Sequence, residues 1–302
     1  MCRLLGYLGP PVLLDDLIIK PDNALISQTT QAQMLAMLNI AGFGLAAWDD
    51  HMAEPHLPLT FRSTQVANFD QNLRMLTRKL RVRALVAHLR GVPLDGNATI
   101  NQQSLHPFSM AGTPLVLAHN GDLASFSEMR FALVEYLKPA IARQITSQID
   151  SAWLYALVLS QFDDPAGPFT VDEIFRAVEA ALAIVRRVRS QLGITQSSSV
   201  NLVVSDGRSI VATRFTFDFG CYDTPPHQGG VEFLSQWFTV GTHYTFADDE
   251  WKMTGGTGAA TLVTSEPLTR DISTWVEVPE YSALLVSGEG AQVSRRIVPL
   301  DV

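Results

Sequence analysis

The chain has 302 residues, 47% hydrophobic and 17% charged, a globular composition with enough length to bury a large core. Its formal net charge of -8 argues against a general affinity for nucleic-acid phosphates. No apolar run reaches the length of a membrane span, and the opening MCRLLGYLGPPVLLDD lacks the basic and apolar regions of a signal peptide, so neither membrane association nor export is expected.

From the N-terminus, residues 2–8 read as a short apolar strand that Gly9-Pro10-Pro11 ends. Residues 42–48 form a second strand, and Asp70 caps a helix carrying Leu73, Leu76 and Leu80 at helical spacing. Residues 84–89 and 115–119 have strand length. Ser125 and Glu128 are placed as a capping box for a helix with Met129, Leu133 and Leu137 on one face. Asp150 precedes a run, 151–162, that is apolar nearly all round and reads as a buried helix. Thr170 and Glu173 make a second capping box, with Phe169 and Ile174 placed as a staple, for a helix carrying Ile174, Val178, Leu182 and Val185. Gly193 stops that helix, and Arg186, Arg187 and Arg189 near its end read as a solvated cluster.

The last third changes character. Residues 200–205 and 209–215 flank Asp206-Gly207, a strong hairpin signal. A Gly/Pro/aromatic stretch, 219–258, follows, and its Trp237, Tyr244 and Trp251 suit either a cover over a site or a partner surface. Residues 260–264, 274–278 and 282–286 read as strands. Strands, central helices and further strands predict an α+β domain with helices segregated onto packed antiparallel sheets.

Cys2 carries the most chemical information. If Met1 is removed, the new α-amino group, of ordinary pKa about 7.7–8.0, can act as general base for the thiol, of ordinary pKa about 8.5. The competing reading is a buried structural cysteine. Asn120-Gly121 reads as a hairpin turn or as a side-chain amide and a backbone N–H converging on an oxyanion. Arg90, at the end of an apolar run, is either solvated or a bidentate fork for an α-carboxylate. Asp150 is either a helix N-cap or the acceptor of an α-ammonium. Cys221 reads as an incidental thiol; two cysteines are too few for a disulfide framework, which fits a reducing cytoplasm. The seven histidines form no metal-ligand cluster, so no metal or other cofactor is expected.

Four motifs in order, Met1-Cys2-Arg3-Leu4-Leu5-Gly6-Tyr7, Ala118-His119-Asn120-Gly121, Asp150-Ser151 and Ser265-Glu266-Pro267-Leu268, resemble class II glutamine amidotransferase domains, which are N-terminal-nucleophile hydrolases. The branch most resembled is that of the ergothioneine-biosynthesis hydrolases acting on γ-glutamyl-hercynylcysteine sulfoxide. The resemblance implies an αββα sandwich of two antiparallel sheets between helical layers. It implies Cys2 as nucleophile, Asn120 and Gly121 as oxyanion hole, and Arg90 and Asp150, with His119 and Ser151, around the γ-glutamyl head group. The chain departs from the family pattern at Ala41, Gly91, Val92, Ile149 and Ala152.

The expected organisation is a single domain over 2–288, with a long inserted segment at about 219–258 and a C-terminal tail over 289–302. The expected activity is amidohydrolysis of a γ-glutamyl small molecule. The alternatives are a glutaminase subunit feeding ammonia to a partner synthase, and a catalytically silent glutamine-binding protein. A synthase partner and a homo-oligomer both remain open.

Overall fold

The computed structural model describes residues 2–34, 37–92, 100–221, 233–256, 258–289 and 292–302, so the fate of Met1 and part of the 219–258 segment lie outside the described residues. Its first half carries β1 (Arg3–Leu13), α1 (Leu14–Ile18), β2 (Phe43–Trp48), β3 (Leu59–Ser63), α2 (Gln71–Thr77) and β4 (Arg81–Leu89). Next come β5 (Phe108–Ser109), β6 (Val116–Gly121), α3 (Phe126–Leu133), α4 (Pro139–Ala142), α5 (Asp150–Ser160) and α6 (Val171–Leu192). The remainder is β7 (Ser198–Ser205), β8 (Ser209–Arg214), β9 (Thr216–Phe217), β10 (Trp237–Gly241), β11 (His243–Ala247), β12 (Glu250–Thr254), β13 (Ala260–Thr264), β14 (Val276–Glu277), β15 (Ser282–Glu289) and β16 (Gln292–Pro299).

Two seven-stranded antiparallel sheets result. The first has the order β14-β10-β13-β1-β4-β2-β3; the second runs β16-β15-β8-β7-β6-β5, with β9 paired to β7. Period-two alternation sorts each strand's side chains into layers. Leu4, Val86, Val116 and Ala118 belong to the core between the sheets. Leu5 and Leu85 face outward onto α1, α2 and the β11–β12 hairpin, through Leu14, Leu17, Leu73, Tyr244 and Met253. Leu115 and Leu117 face the other way, onto Met129, Leu154 and Val178 of α3, α5 and α6. This is the αββα sandwich that the resemblance implies.

Several local expectations hold. The Asp70 side chain accepts from Leu73 N–H, the Thr170–Glu173 capping box is complete, and Gly193 ends α6 at φ +68°. Others yield to tertiary partners. Gly9-Pro10-Pro11 does not end β1, because pairing with β4 resumes at Val12 after a bulge, and prolines sit where the ladder asks for no N–H. Ser125 is left-handed and caps nothing; its hydroxyl binds Gln196 Oε1 at 3.0 Å. Asp150 is the first helical residue rather than the N-cap, a place taken by Ile149. Residues 292–299, expected in a tail, pair with β15 along its length and close one edge of the second sheet. Within the 219–258 segment, β10 lies inside the first sheet between β13 and β14.

The arginine cluster is not uniformly solvated. Arg189 is 1% exposed, donates to Ser198 Oγ at 2.8 Å and to the Gln196 carbonyl, and pairs with Asp218 at 2.9 Å. Burial opposes the Asp218 charge, but hydrogen bonds from Arg189 and Arg186 outweigh it and hold the carboxyl below its ordinary value. A depressed carboxyl stabilises the fold above its unfolded-state value, a contribution lost as the pH falls through the folded-state value. Arg189→Ala leaves Asp218 with Arg186 but takes the donor away from Ser198 Oγ and the Gln196 carbonyl and empties a buried site, and is expected to cost about 3 kcal/mol in denaturant unfolding at neutral pH. A loss below about 1 kcal/mol would contradict that role.

Candidate active site

The antiparallel register places Arg3 opposite Leu89, so the next pair outward sets Cys2 beside Arg90 at the open end of the first sheet. Cys2 lies two residues before Leu4 and Arg90 four after Val86, so both share the face turned toward the second sheet. Cys2 is buried, and its Sγ lies 3.6 Å from the Gly91 carbonyl oxygen. Buried Arg3 donates from Nη1 to the Cys2 carbonyl at 3.0 Å and fixes that end of the strand. Burial pushes the Cys2 thiol up, and the neighbouring Arg90 charge works in the opposite direction.

Across the sandwich, β6 delivers Asn120. Val116 and Ala118 point into the core between the sheets, and Asn120 continues their face. The ends of β4 and β6 are tied where His88 Nε2 donates to the His119 carbonyl at 3.2 Å, so Asn120 arrives at the same end as Cys2 and Arg90. Burial holds His88 down at about 3, so the imidazole is neutral and its one proton sits on Nε2. Asn120-Gly121 is therefore not a hairpin turn. It ends a strand paired with β7, Asn120 opposite Asn201 and Gly121 opposite Val200. Gly121 has φ +147°, and a Cβ there would lie 1.8 Å from the Ser199 carbonyl oxygen, so only glycine fits.

Arg90 is buried, with Nη1 donating to Ser104 Oγ at 2.9 Å. Ser104 is itself set by a capping box with Asn101. Asp150 lies at the start of α5; Oδ2 accepts Leu123 N–H at 2.8 Å and Oδ1 accepts Ser151 N–H at 2.7 Å. Those two backbone donors, one from just past Gly121 and one from the first turn of α5, fix the carboxylate in place. Burial lowers Arg90 from its ordinary value, while the charges of Cys2 and Asp150 pull it back up. A cation and an anion thus flank the cysteine, which is the pairing an amino-acid head group needs.

His119 and Ser151 occupy a different layer. His119 alternates with Asn120 and so joins the helix-facing side of β6 with Leu117, where Nδ1 meets Ser151 Oγ at 2.8 Å. Cys2, Arg90, Asn120, Gly121 and Asp150 come to one end of the sandwich; His119 and Ser151 stand behind Asp150.

Residues 25–299 match the family described as class II glutamine amidotransferases. The chain belongs to that family. Among curated relatives, a probable glutamine amidotransferase of Saccharomyces cerevisiae, DUG3, is 25% identical over 95% of this chain and 82% of its own. The γ-glutamyl-hercynylcysteine sulfoxide hydrolase of Mycolicibacterium smegmatis is 27% identical over 58% of this chain and 69% of its own. Of solved structures, a class II domain protein from Silicibacter pomeroyi superposes with a TM-score of 0.61 at 19% identity, covering 98% of both chains. The phosphoribosylpyrophosphate amidotransferase of Bacillus subtilis gives 0.56 at 14% identity, over 98% of this chain and 49% of that one.

Of the positions read as departures from the family pattern, Ala41 lies against Arg90. Ala41 meets Arg90 through the backbone, its N–H donating to the Arg90 carbonyl at 3.0 Å, while Arg90 N–H donates to the Gly42 carbonyl at 2.9 Å. The side chain at position 41 takes no part in those bonds. The supports missed in the sequence are long-range. Glu266, 1% exposed, accepts from Asn23 Nδ2 and from the N–H groups of Gln33 and Met34, and its charge faces Arg3. Ser265 exchanges two hydrogen bonds with Leu4. The Ser265-Glu266 motif therefore braces the start of β1, directly after Cys2. Its position in the sequence is visible; its partner at the other terminus is not.

Among the described residues, no helix is long and apolar enough to cross a membrane.

Proposed function

We propose that this class II amidotransferase hydrolyses γ-glutamyl amides by two acyl transfers through Cys2, after Met1 is removed. The Cys2 sulfur bonds to the γ-carbonyl carbon while the Asn120 amide and the Gly121 N–H stabilise the oxyanion. The C–N bond then breaks, and the amine leaves with a proton relayed by the Cys2 α-amino group. Water attacks the thioester, gives its proton to the same amine, and releases glutamate and the thiol. Arg90 holds the substrate α-carboxylate and Asp150 its α-ammonium. The observation that carries this reading is the register pair that sets Cys2 beside Arg90, with the His88–His119 bond bringing Asn120 to the same end.

For the leaving amine, the partial match to the hercynylcysteine sulfoxide hydrolase supports γ-glutamyl-hercynylcysteine sulfoxide, cleaved without a partner. The longer match to a glutamine amidotransferase supports a second reading, in which glutamine is cleaved to supply ammonia to a partner synthase. A substrate panel on Met1-free protein separates them. Expected is turnover of γ-glutamyl peptides or of the sulfoxide by the protein alone, with glutamine poorer. Cleavage of glutamine only, and only with a synthase present, overturns the stand-alone reading.

A further inference from the structure

The hydrogen bonds around His119 need one proton more than neutral side chains supply. Nδ1 lies 2.8 Å from Ser151 Oγ, Nε2 lies 3.2 Å from the Ser199 carbonyl oxygen, and Ser151 Oγ lies 3.1 Å from Asp150 Oδ1. Those are three contacts. A neutral imidazole and a hydroxyl own two protons between them. The carbonyl has none to give. Asp150 is a poor place for the third, since both its oxygens already accept backbone N–H groups.

We propose that His119 is a positioning residue that carries a proton on both ring nitrogens, donating to Ser199 and to Ser151, whose hydroxyl in turn donates to Asp150. The proposal deepens the hydrolase reading and rests on Asp150 holding the substrate ammonium. The charged and titratable groups around the ring fit it. Asp150 from α5 and Asp122 just past β6 are its carboxyl neighbours; burial and the Asp150 charge push Asp122 up, and the His119 charge works in the opposite direction. His88 from β4 is neutral, with its single N–H spent on the His119 carbonyl. Arg189 of α6 is engaged by Asp218.

His119 is thereby a shared anchor. Its carbonyl is held by His88, its backbone leads directly into Asn120, and its ring orients the Asp150 carboxylate through Ser151. The relay fills one Oδ1 lone-pair direction and turns the carboxylate so that its remaining lone pairs meet the ammonium. Loss of the extra proton leaves one of the three contacts without a proton: Ser199 facing a bare nitrogen, Nδ1 facing the Ser151 oxygen, or that oxygen facing Asp150.

The test is nitrogen NMR on the whole protein labelled at histidine, with the His119 ring assigned by its disappearance in His119→Gln. At the pH of greatest activity, both His119 nitrogens are expected to bear protons and to resonate close together. Two widely separated ring nitrogens, the pattern of a neutral imidazole, overturn the proposal. In kinetics on glutamine or a γ-glutamyl peptide, Ser151→Ala is expected to raise KM about tenfold and to lower kcat by less than that, because the loss falls on head-group binding. A fall in kcat with KM unchanged overturns the positioning role. Should His119→Gln fail to fold, the ring signal displaced by Ser151→Ala supplies the assignment. The NMR reading needs no turnover, so a doubly protonated ring in a protein that hydrolyses no γ-glutamyl amide would sink the hydrolase reading and not the proton count.

Discussion

Cys2→Ala protein is expected to lose γ-glutamyl hydrolysis by about 10^4-fold or more, with its fold intact. Removing a nucleophile deletes the covalent route, and what remains is binding and oxyanion stabilisation acting on water. The fold survives because the side chain lost is small and at the rim of the sandwich, while the strand is held by Arg3, by its pairing with β4 and β13, and by Ser265. Circular dichroism and the unfolding midpoint should therefore barely move. Cys221 is the internal control: it is exposed and free, so Cys221→Ala should retain activity. Loss of activity in Cys221→Ala with Cys2→Ala still active would reverse the assignment.

The second large effect concerns the oxyanion donors. Asn120→Ala is expected to lower kcat by about 100- to 1000-fold, the usual cost of one such donor, with a smaller change in KM. Gly121→Ala should do comparable damage by another route. A Cβ at φ +147° would sit 1.8 Å from the Ser199 carbonyl and 2.9 Å from His119 Nε2, so β6 must pull away from β7 at the point where the donor is presented. Backbone strain of this kind costs about 2–3 kcal/mol of stability, a loss Asn120→Ala should not share. If Asn120→Ala keeps wild-type kcat, the amide does not face the oxyanion.

Local chemistry made much of the fold legible. Asp70, the Thr170–Glu173 pair, Gly193 and Asp206-Gly207 each act through neighbours a few residues away, and each behaves as its motif predicts. Motifs fail where a distant partner offers a better bond. Ser125 turns to Gln196, Asp150 turns to Leu123, and Asn120-Gly121 is drawn into a ladder with β7 instead of closing a hairpin. The site divides the same way. Cys2, Arg90, Asn120, Gly121 and Asp150 could be named because their chemistry is unusual where they stand. His88 and Ser104 could not, and Arg3 and Glu266 stood in quoted motifs without a role, because each matters only through a contact that folding creates.

Residues His119 and Ser151 show the intermediate case. Their adjacency to Asn120 and Asp150 marks them in the sequence, yet strand alternation sends the His119 ring to the face away from Cys2. A motif gives neighbours along the chain; only the sheet decides which of them meet the substrate.

Mass spectrometry of active protein treated with a glutamine analogue bearing an electrophile at the γ-carbonyl tests the central claim most directly. The account predicts a chain that begins at Cys2 and gains one adduct, mapped by peptide sequencing to that residue, with activity lost in step. Full activity in protein that retains Met1, or an inactivating adduct on Cys221, would contradict it.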